Sequence, residues 1–132
     1  MALQFEHETF KVIGACMNVH KALGNGFLES VYQEALEKEL KKLQIPFVLH
    51  KKLQILFDGI PLDKFFVADF VCYNIIILEI KAASFLSQRD SDQVINYLKA
   101  TGLEVGLLVN FGESSLKWKR FINTHHKSVE SF

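Results

Sequence analysis

Residues 69–81, Asp-Phe-Val-Cys-Tyr-Asn-Ile-Ile-Ile-Leu-Glu-Ile-Lys, set two acids and a lysine inside two apolar, β-type runs. No other stretch constrains the chain as strongly. An ionised side chain taken out of water has to be paired, hydrogen-bonded or bound to a cation. Residues 75–80 are β-branched and aliphatic and read as a buried strand, residues 65–72 form a second strand just before it, and Tyr73-Asn74 marks the join. A two-residue loop would pair Cys72 with Ile75 and send Asp69 and Glu79 to opposite faces, because side chains alternate with period two. A three-residue loop with Asn74 left-handed pairs Cys72 with Ile76 and sets Asp69 directly opposite Glu79, which is the expected register. Lys81 then follows two residues after Glu79 on the same face.

Directly opposed side chains in a sheet have Cβ atoms about 5 Å apart. Two negative charges at that separation repel by roughly 3 kcal/mol at an effective dielectric of about 20, and a single lysine offsets only part of this. A divalent cation would convert the repulsion into affinity. Two carboxylates completed by water and substrate oxygens suit Mg2+ or Mn2+, and a neighbouring lysine can steady a developing oxyanion or orient a water.

The rest of the chain supplies a frame for these strands. Residues 8–23 read as a helix with Phe10, Ile13 and Met17 in one apolar row and Val12, Cys16, Val19 and Leu23 in another, ended by Gly24-Asn25-Gly26. A second helix is expected over residues 27–43, capped by Asn25 or Gly26, with Leu28, Val31, Ala35, Leu36, Leu40 and Leu43 inward. Glu29 sits in its first turn, where the helix dipole favours a carboxylate by roughly 0.3 to 1 kcal/mol. Tyr32 follows on the same face, a residue expected to pack and donate a hydrogen bond.

Pro46 closes this helical half, residues 47–57 form a strand, and Asp58-Gly59 is a turn. Lys51 and Lys52 read as a solvated strand edge. After the acidic strands comes a third helix, residues 88–101, stopped by Gly102, with Gln93 and Tyr97 on one side. Residues 103–111 suit an interior strand, parallel to that of Glu79 because a helix separates the two. Residues 116–122 form a last strand whose Lys117, Lys119 and Arg120 make the clearest basic patch, and Trp118 within it reads as a core residue more readily than as a base-stacking one. The adjacent His125 and His126 lack metal-ligand spacing and are assigned to a C-terminal tail, residues 123–132.

Asp69, then nine residues, then Glu79-Ile-Lys81 on adjacent strands resembles the core signature of the PD-(D/E)XK nuclease superfamily. Gly26-Phe-Leu-Glu29-Ser-Val-Tyr32 is similar to the motif that names its GxxExxY branch, and Gln93-Val-Ile-Asn-Tyr97 resembles a Gln-x-x-x-Tyr element of its exonucleases. Ala68 stands where the superfamily name has proline. The resemblance implies one α/β domain over residues 1–132, its core about 8–122, built as a restriction-endonuclease-like mixed sheet with an antiparallel meander, a crossover helix and flanking N-terminal helices. It implies a nuclease in which Asp69 and Glu79 hold Mg2+ or Mn2+, with Glu29 as a further ligand and a metal-activated water cutting the phosphodiester. Lys81 and Gln93 act on that water or the phosphate, and Tyr32 and Tyr97 support them. DNA or RNA is the implied partner, reached through Lys117, Lys119 and Arg120. A binding module on the same fold is the alternative.

Composition narrows the setting. A hydrophobic fraction of 49% and 12 phenylalanines exclude a disordered chain. The net charge of zero excludes a surface built for indiscriminate phosphate binding, so affinity for nucleic acid has to come from local patches and weaken with salt. Cys16 and Cys72 read as reduced core residues, and no apolar run approaches a membrane span, which together suggest a cytoplasmic protein. The oligomeric state, a homodimer included, is left open by the sequence.

Overall fold

A computed structural model describes residues 5–123. The order is α1 (Glu6–Leu23), α2 (Glu29–Lys42), β1 (Phe47–Phe57), β2 (Ile60–Cys72), β3 (Ile76–Lys81), α3 (Gln88–Thr101), β4 (Val105–Asn110) and β5 (Lys117–Ile122). The five strands form one sheet in sequence order, antiparallel throughout except for the parallel pair β3 and β4. This is the expected mixed α/β architecture, with α3 linking the parallel strands. β4 is buried at all six positions, as its largely apolar run implies, with the one polar side chain, Asn110, satisfied by hydrogen bonds.

Two apolar clusters sandwich the sheet. One joins α1 and α2 to Phe70, Cys72, Ile76, Leu78, Ile80, Val105, Leu107 and Val109. The other gathers Leu53, Phe66, Ala68, Val71 and Ile77 around Leu98 of α3. In β2, Phe66 and Ala68 belong to the α3 side whereas Phe70 and Cys72, of the same parity, belong to the α1/α2 side. In β1, Leu49 packs with the first cluster and Leu53 with the second. The β1/β2 hairpin therefore changes faces at one level, that of His50 and Asp69. His50 has a left-handed backbone, φ 51°.

The helical faces differ from the expected ones. In α2 the inward stripe is Tyr32, Leu36 and Leu40, whereas Leu28, Val31 and Leu43 are exposed. Leu28 caps the helix in an extended conformation without a side-chain bond, in place of Asn25 or Gly26. In α1, Val12, Ile13, Ala15, Cys16, Val19 and His20 are buried, and Phe10 and Met17 lie outside. Both corrections have one cause: hydrophobicity identifies an amphipathic helix, but its rotation is fixed by what it meets, here β3 and β4. Trp118, expected in the core, is 41% exposed because β5 is an edge strand. Asn123, assigned to the tail, is buried and donates to the carbonyls of Leu98 and Leu103. His125 and His126 lie outside the described residues.

Cys16 and Cys72 are free and buried. Burial pushes the Cys72 thiol up to about 12 and that of Cys16 higher still, so both stay protonated. No described helix is long and apolar enough to cross a membrane.

Candidate active site

The turn between β2 and β3 fixes the geometry of the acids. Tyr73 and Asn74 both take left-handed backbones, φ 56° and 61°, the Ile75 N–H donates to the Cys72 carbonyl (3.1 Å), and Ile75 is the extra residue that makes Cys72 pair with Ile76. The register continues through Val71 with Ile77 and Phe70 with Leu78, which brings Asp69 level with Glu79. At that level the side chains take over from the ladder. The Asp69 N–H donates to Glu79 Oε2 (2.8 Å), and the Ile80 N–H donates to Asp69 Oδ2 (2.9 Å). Each acid is thus fixed by the opposite strand's backbone, leaving Asp69 Oδ1 and Glu79 Oε1 free of protein hydrogen bonds among the described residues.

The pair is electrostatically uncomfortable. Burial and the Asp69 charge push Glu79 up to about 7, against the Asp69 N–H and Lys81, with Glu29 adding to the rise. Burial also raises Asp69, opposed by the Ile80 N–H, Lys81 and His50. Glu29 is raised by burial and by Asp69, opposed by Lys81. Three acids from α2, β2 and β3 therefore interact across one region with Lys81 among them. Two half-buried carboxylates, each with a free oxygen, fit a hard divalent cation that takes its remaining ligands from water and phosphate. Among the described residues no group of three His, Cys, Asp or Glu side chains forms a ready ligand set, so Glu29 approaches the pair without completing one.

Lys81 is engaged from the other side as well. Its Nζ lies 3.8 Å from Asp90 Oδ1. Asp90 is itself locked in the capping box of α3, accepting from the Ser87 N–H (3.0 Å) while its own N–H donates to Ser87 Oγ (3.2 Å). The Ser87 N–H, more than any other contact, holds its carboxyl below the usual range. Asp90 was not among the residues singled out from sequence, although Ser87-x-x-Asp90 ahead of an amphipathic run was a readable helix start.

Tyr97 stacks on Phe66 with ring centroids 3.6 Å apart, and Gln93 lies one helical turn before it on α3. Burial and the charges of Glu79 and Asp69 raise its pKa, so Tyr97 adjoins the acids while Gln93, exposed, adjoins Tyr97. Tyr32 is fully buried, donates its hydroxyl hydrogen to the Gly24 carbonyl (2.5 Å), accepts from the Phe27 N–H (3.3 Å) and stacks on Phe111. It pins the loop that delivers Glu29. Tyr32→Phe should cost about 1 kcal/mol in urea unfolding by stranding those two backbone groups. An unchanged unfolding free energy would show that neither backbone group depends on the hydroxyl.

Strand alternation divides the basic trio of β5. Lys119 is level with Leu108 and thence Glu79, and Lys117 is level with Asn110 and thence Lys81, so these two lysines share the face of the acids. Lys119 also reaches Ser91 Oγ of α3 (3.4 Å). Arg120 lies on the opposite face, where its Nε donates to Thr9 Oγ1 (3.4 Å). The three side chains do not form one patch.

The chain matches the family described as the PD-(D/E)XK nuclease superfamily over residues 6–121. No curated protein and no solved structure matches it.

Proposed function

The chain belongs to the PD-(D/E)XK nuclease superfamily, and on that premise we propose that it hydrolyses phosphodiester bonds of DNA or RNA with Mg2+ or Mn2+. One observation carries the proposal: Asp69 and Glu79 face each other from neighbouring strands, each with one oxygen tied to backbone and one to spare. Asp69 and Glu79 would hold the cation, with Glu29 at the start of α2 as the third acid. Bound there, the cation would offset the acids' repulsion and increase the acidity of a water. Lys81, two residues from Glu79, places a positive charge where a phosphate gathers negative charge. Gln93 acts through or beside Tyr97, and Lys117 and Lys119 take the strand's flanking phosphates. The segment from Gly26 through Glu29 to Tyr32 supports placement in the GxxExxY branch.

A second reading has an observation of its own. Both acids accept from backbone N–H groups and Lys81 pairs with Asp90, contacts that would also suit a binding module whose ionic residues only staple the sheet. The test is incubation with single- and double-stranded DNA and RNA in Mg2+ or Mn2+, beside the double variant Asp69→Ala, Lys81→Ala. Metal-dependent products from the wild type alone are expected. Identical traces from both proteins would leave the binding module as the better account.

A further inference from the structure

His50 is the residue around the acids that neither the motifs nor the proposed roles above account for. Six described residues other than glycine have positive φ, and five of them sit in turns or at helix ends: Phe5, Gln44, Asp58, Tyr73 and Asn74. His50 alone lies inside a strand, with φ 51° in the middle of β1. The ladder pairs Leu49 with Phe70 and Lys51 with Ala68, so the residue level with His50 is Asp69. The pairing thus lapses here, as it does again at the register shift between Gln54 and Leu56, and the step at His50 is the one that holds the acid. Combined with the other ladders, His50, Asp69, Glu79, Leu108 and Lys119 form a single row across all five strands. Two acids are therefore flanked in the row by two nitrogen bases.

A left-handed backbone is uncommon for any residue with a side chain and free of that cost for glycine. If β1 needed only to bend there, glycine would bend it with less strain. The retained side chain is exposed, and among the described residues it makes no hydrogen bond or ion pair. It lies close enough to Asp69 for its charge to favour the ionised carboxylate, alongside the larger effects of the Ile80 N–H and Lys81 and against the dominant effect of burial. Backbone strain at the level of a site, in a residue whose ring is uncommitted, is a pattern by which proteins hold a group ready for a ligand.

We infer that His50 is a substrate-contacting residue, its imidazole donating a hydrogen bond to a phosphate oxygen of the nucleic acid seated at Asp69 and Glu79. This rests on the nuclease reading above and adds to it a phosphate contact from the edge strand, opposite the lysine side of the site.

The experiment uses the full chain and the variants His50→Gly, His50→Asn and His50→Gln. Thermal unfolding, metal-dependent cleavage and binding of a short fluorescein-labelled oligonucleotide in Ca2+ are measured on each. His50→Gly is expected to keep or raise the melting temperature, since glycine relieves the left-handed position. It should lower kcat/KM and oligonucleotide affinity about tenfold or more, the scale of a lost hydrogen bond to a charged group. His50→Gln, which keeps a donor, should recover part of both. Unchanged cleavage and binding in a stable His50→Gly protein would overturn the inference while leaving the nuclease intact. So would a fall in melting temperature large enough to account for the lost activity. If the wild type does not cleave, the nuclease reading fails separately, and oligonucleotide binding alone decides whether His50 meets phosphate.

Discussion

Glu79→Gln is expected to stabilise the metal-free protein above neutral pH and to cripple the proposed metal-dependent cleavage. In the folded chain the Glu79 carboxyl is raised from an ordinary 4.5 to about 7, first by burial and then by Asp69. A carboxyl that titrates higher in the folded state than in the unfolded one contributes stability that is complete below about 4.5 and is lost as pH rises through about 7. The wild type should therefore be most stable in weak acid and lose up to about 3 kcal/mol between pH 5 and pH 8. Glutamine keeps an acceptor for the Asp69 N–H and carries no charge, so the variant should flatten this profile and melt higher than the wild type at about pH 8. A divalent cation should raise the wild-type melting temperature and leave the variant's nearly unmoved, because ligand binding stabilises only the state that can bind. Cleavage should fall about a hundredfold or more, the scale on which removing one electrostatic element of an active site is felt. Melting curves across pH, with and without Mg2+, check all of this. A variant less stable than the wild type at about pH 8 would mean that Glu79 is comfortably ionised without a metal, and the strain on which the site is argued would be absent.

The second large effect comes from a position with no chemistry of its own. A methyl group at Gly112 would lie 2.3 Å from the Ala83 carbonyl oxygen, 2.5 Å from its nitrogen and 2.6 Å from the carbonyl carbon of Ala82. All three are backbone atoms, and they belong to the segment that leaves Lys81. That segment is clasped by a fully buried asparagine. Asn110 Oδ1 accepts from the Ala83 N–H (3.0 Å) and the Gly112 N–H (3.1 Å), while its Nδ2 donates to the Ala83 carbonyl (3.0 Å) and to Glu113 Oε2 (2.8 Å). The Phe111 N–H adds a bond to the Lys81 carbonyl (2.8 Å). Gly112→Ala must break this clasp or move β3, and a loss of about 3 kcal/mol or more is expected, roughly a 10 °C fall in melting temperature. Gly14→Ala is the matched comparison: it sits in α1 with nothing within 4 Å of the added methyl, so helix propensity alone acts and stability should rise by about 0.5 to 1 kcal/mol. Equal melting temperatures for the two variants would show that the 82–83 segment yields easily and does not hold Lys81 in place.

Both results turn on the ends of β3, the part of the site that periodicity could and could not locate. The acids, the lysine and their register were legible because period-two alternation and a three-residue join leave few ways to pair residues 69–72 with 76–79. Asp90 was half legible, as the N3 partner of a helix-capping serine, but its reach to Lys81 depends on how α3 settles on the sheet. His50 and Asn110 gave no signal, since nothing local distinguishes a histidine in a polar strand edge or an asparagine at a strand end. The basic residues of β5 read as one patch only while their alternation was set aside.

What the sequence determined by itself was the set of elements, their order and the pairing of the acidic strands, because these follow from side-chain period and turn chemistry within a few residues. The tertiary structure decided which face each helix buries, where the β1/β2 hairpin changes sides, and which distant groups close around Asp69 and Glu79. Those choices depend on contacts between residues far apart in the chain, and each is a competition among several apolar faces or polar partners of similar local worth. Only packing against the shared sheet resolves it.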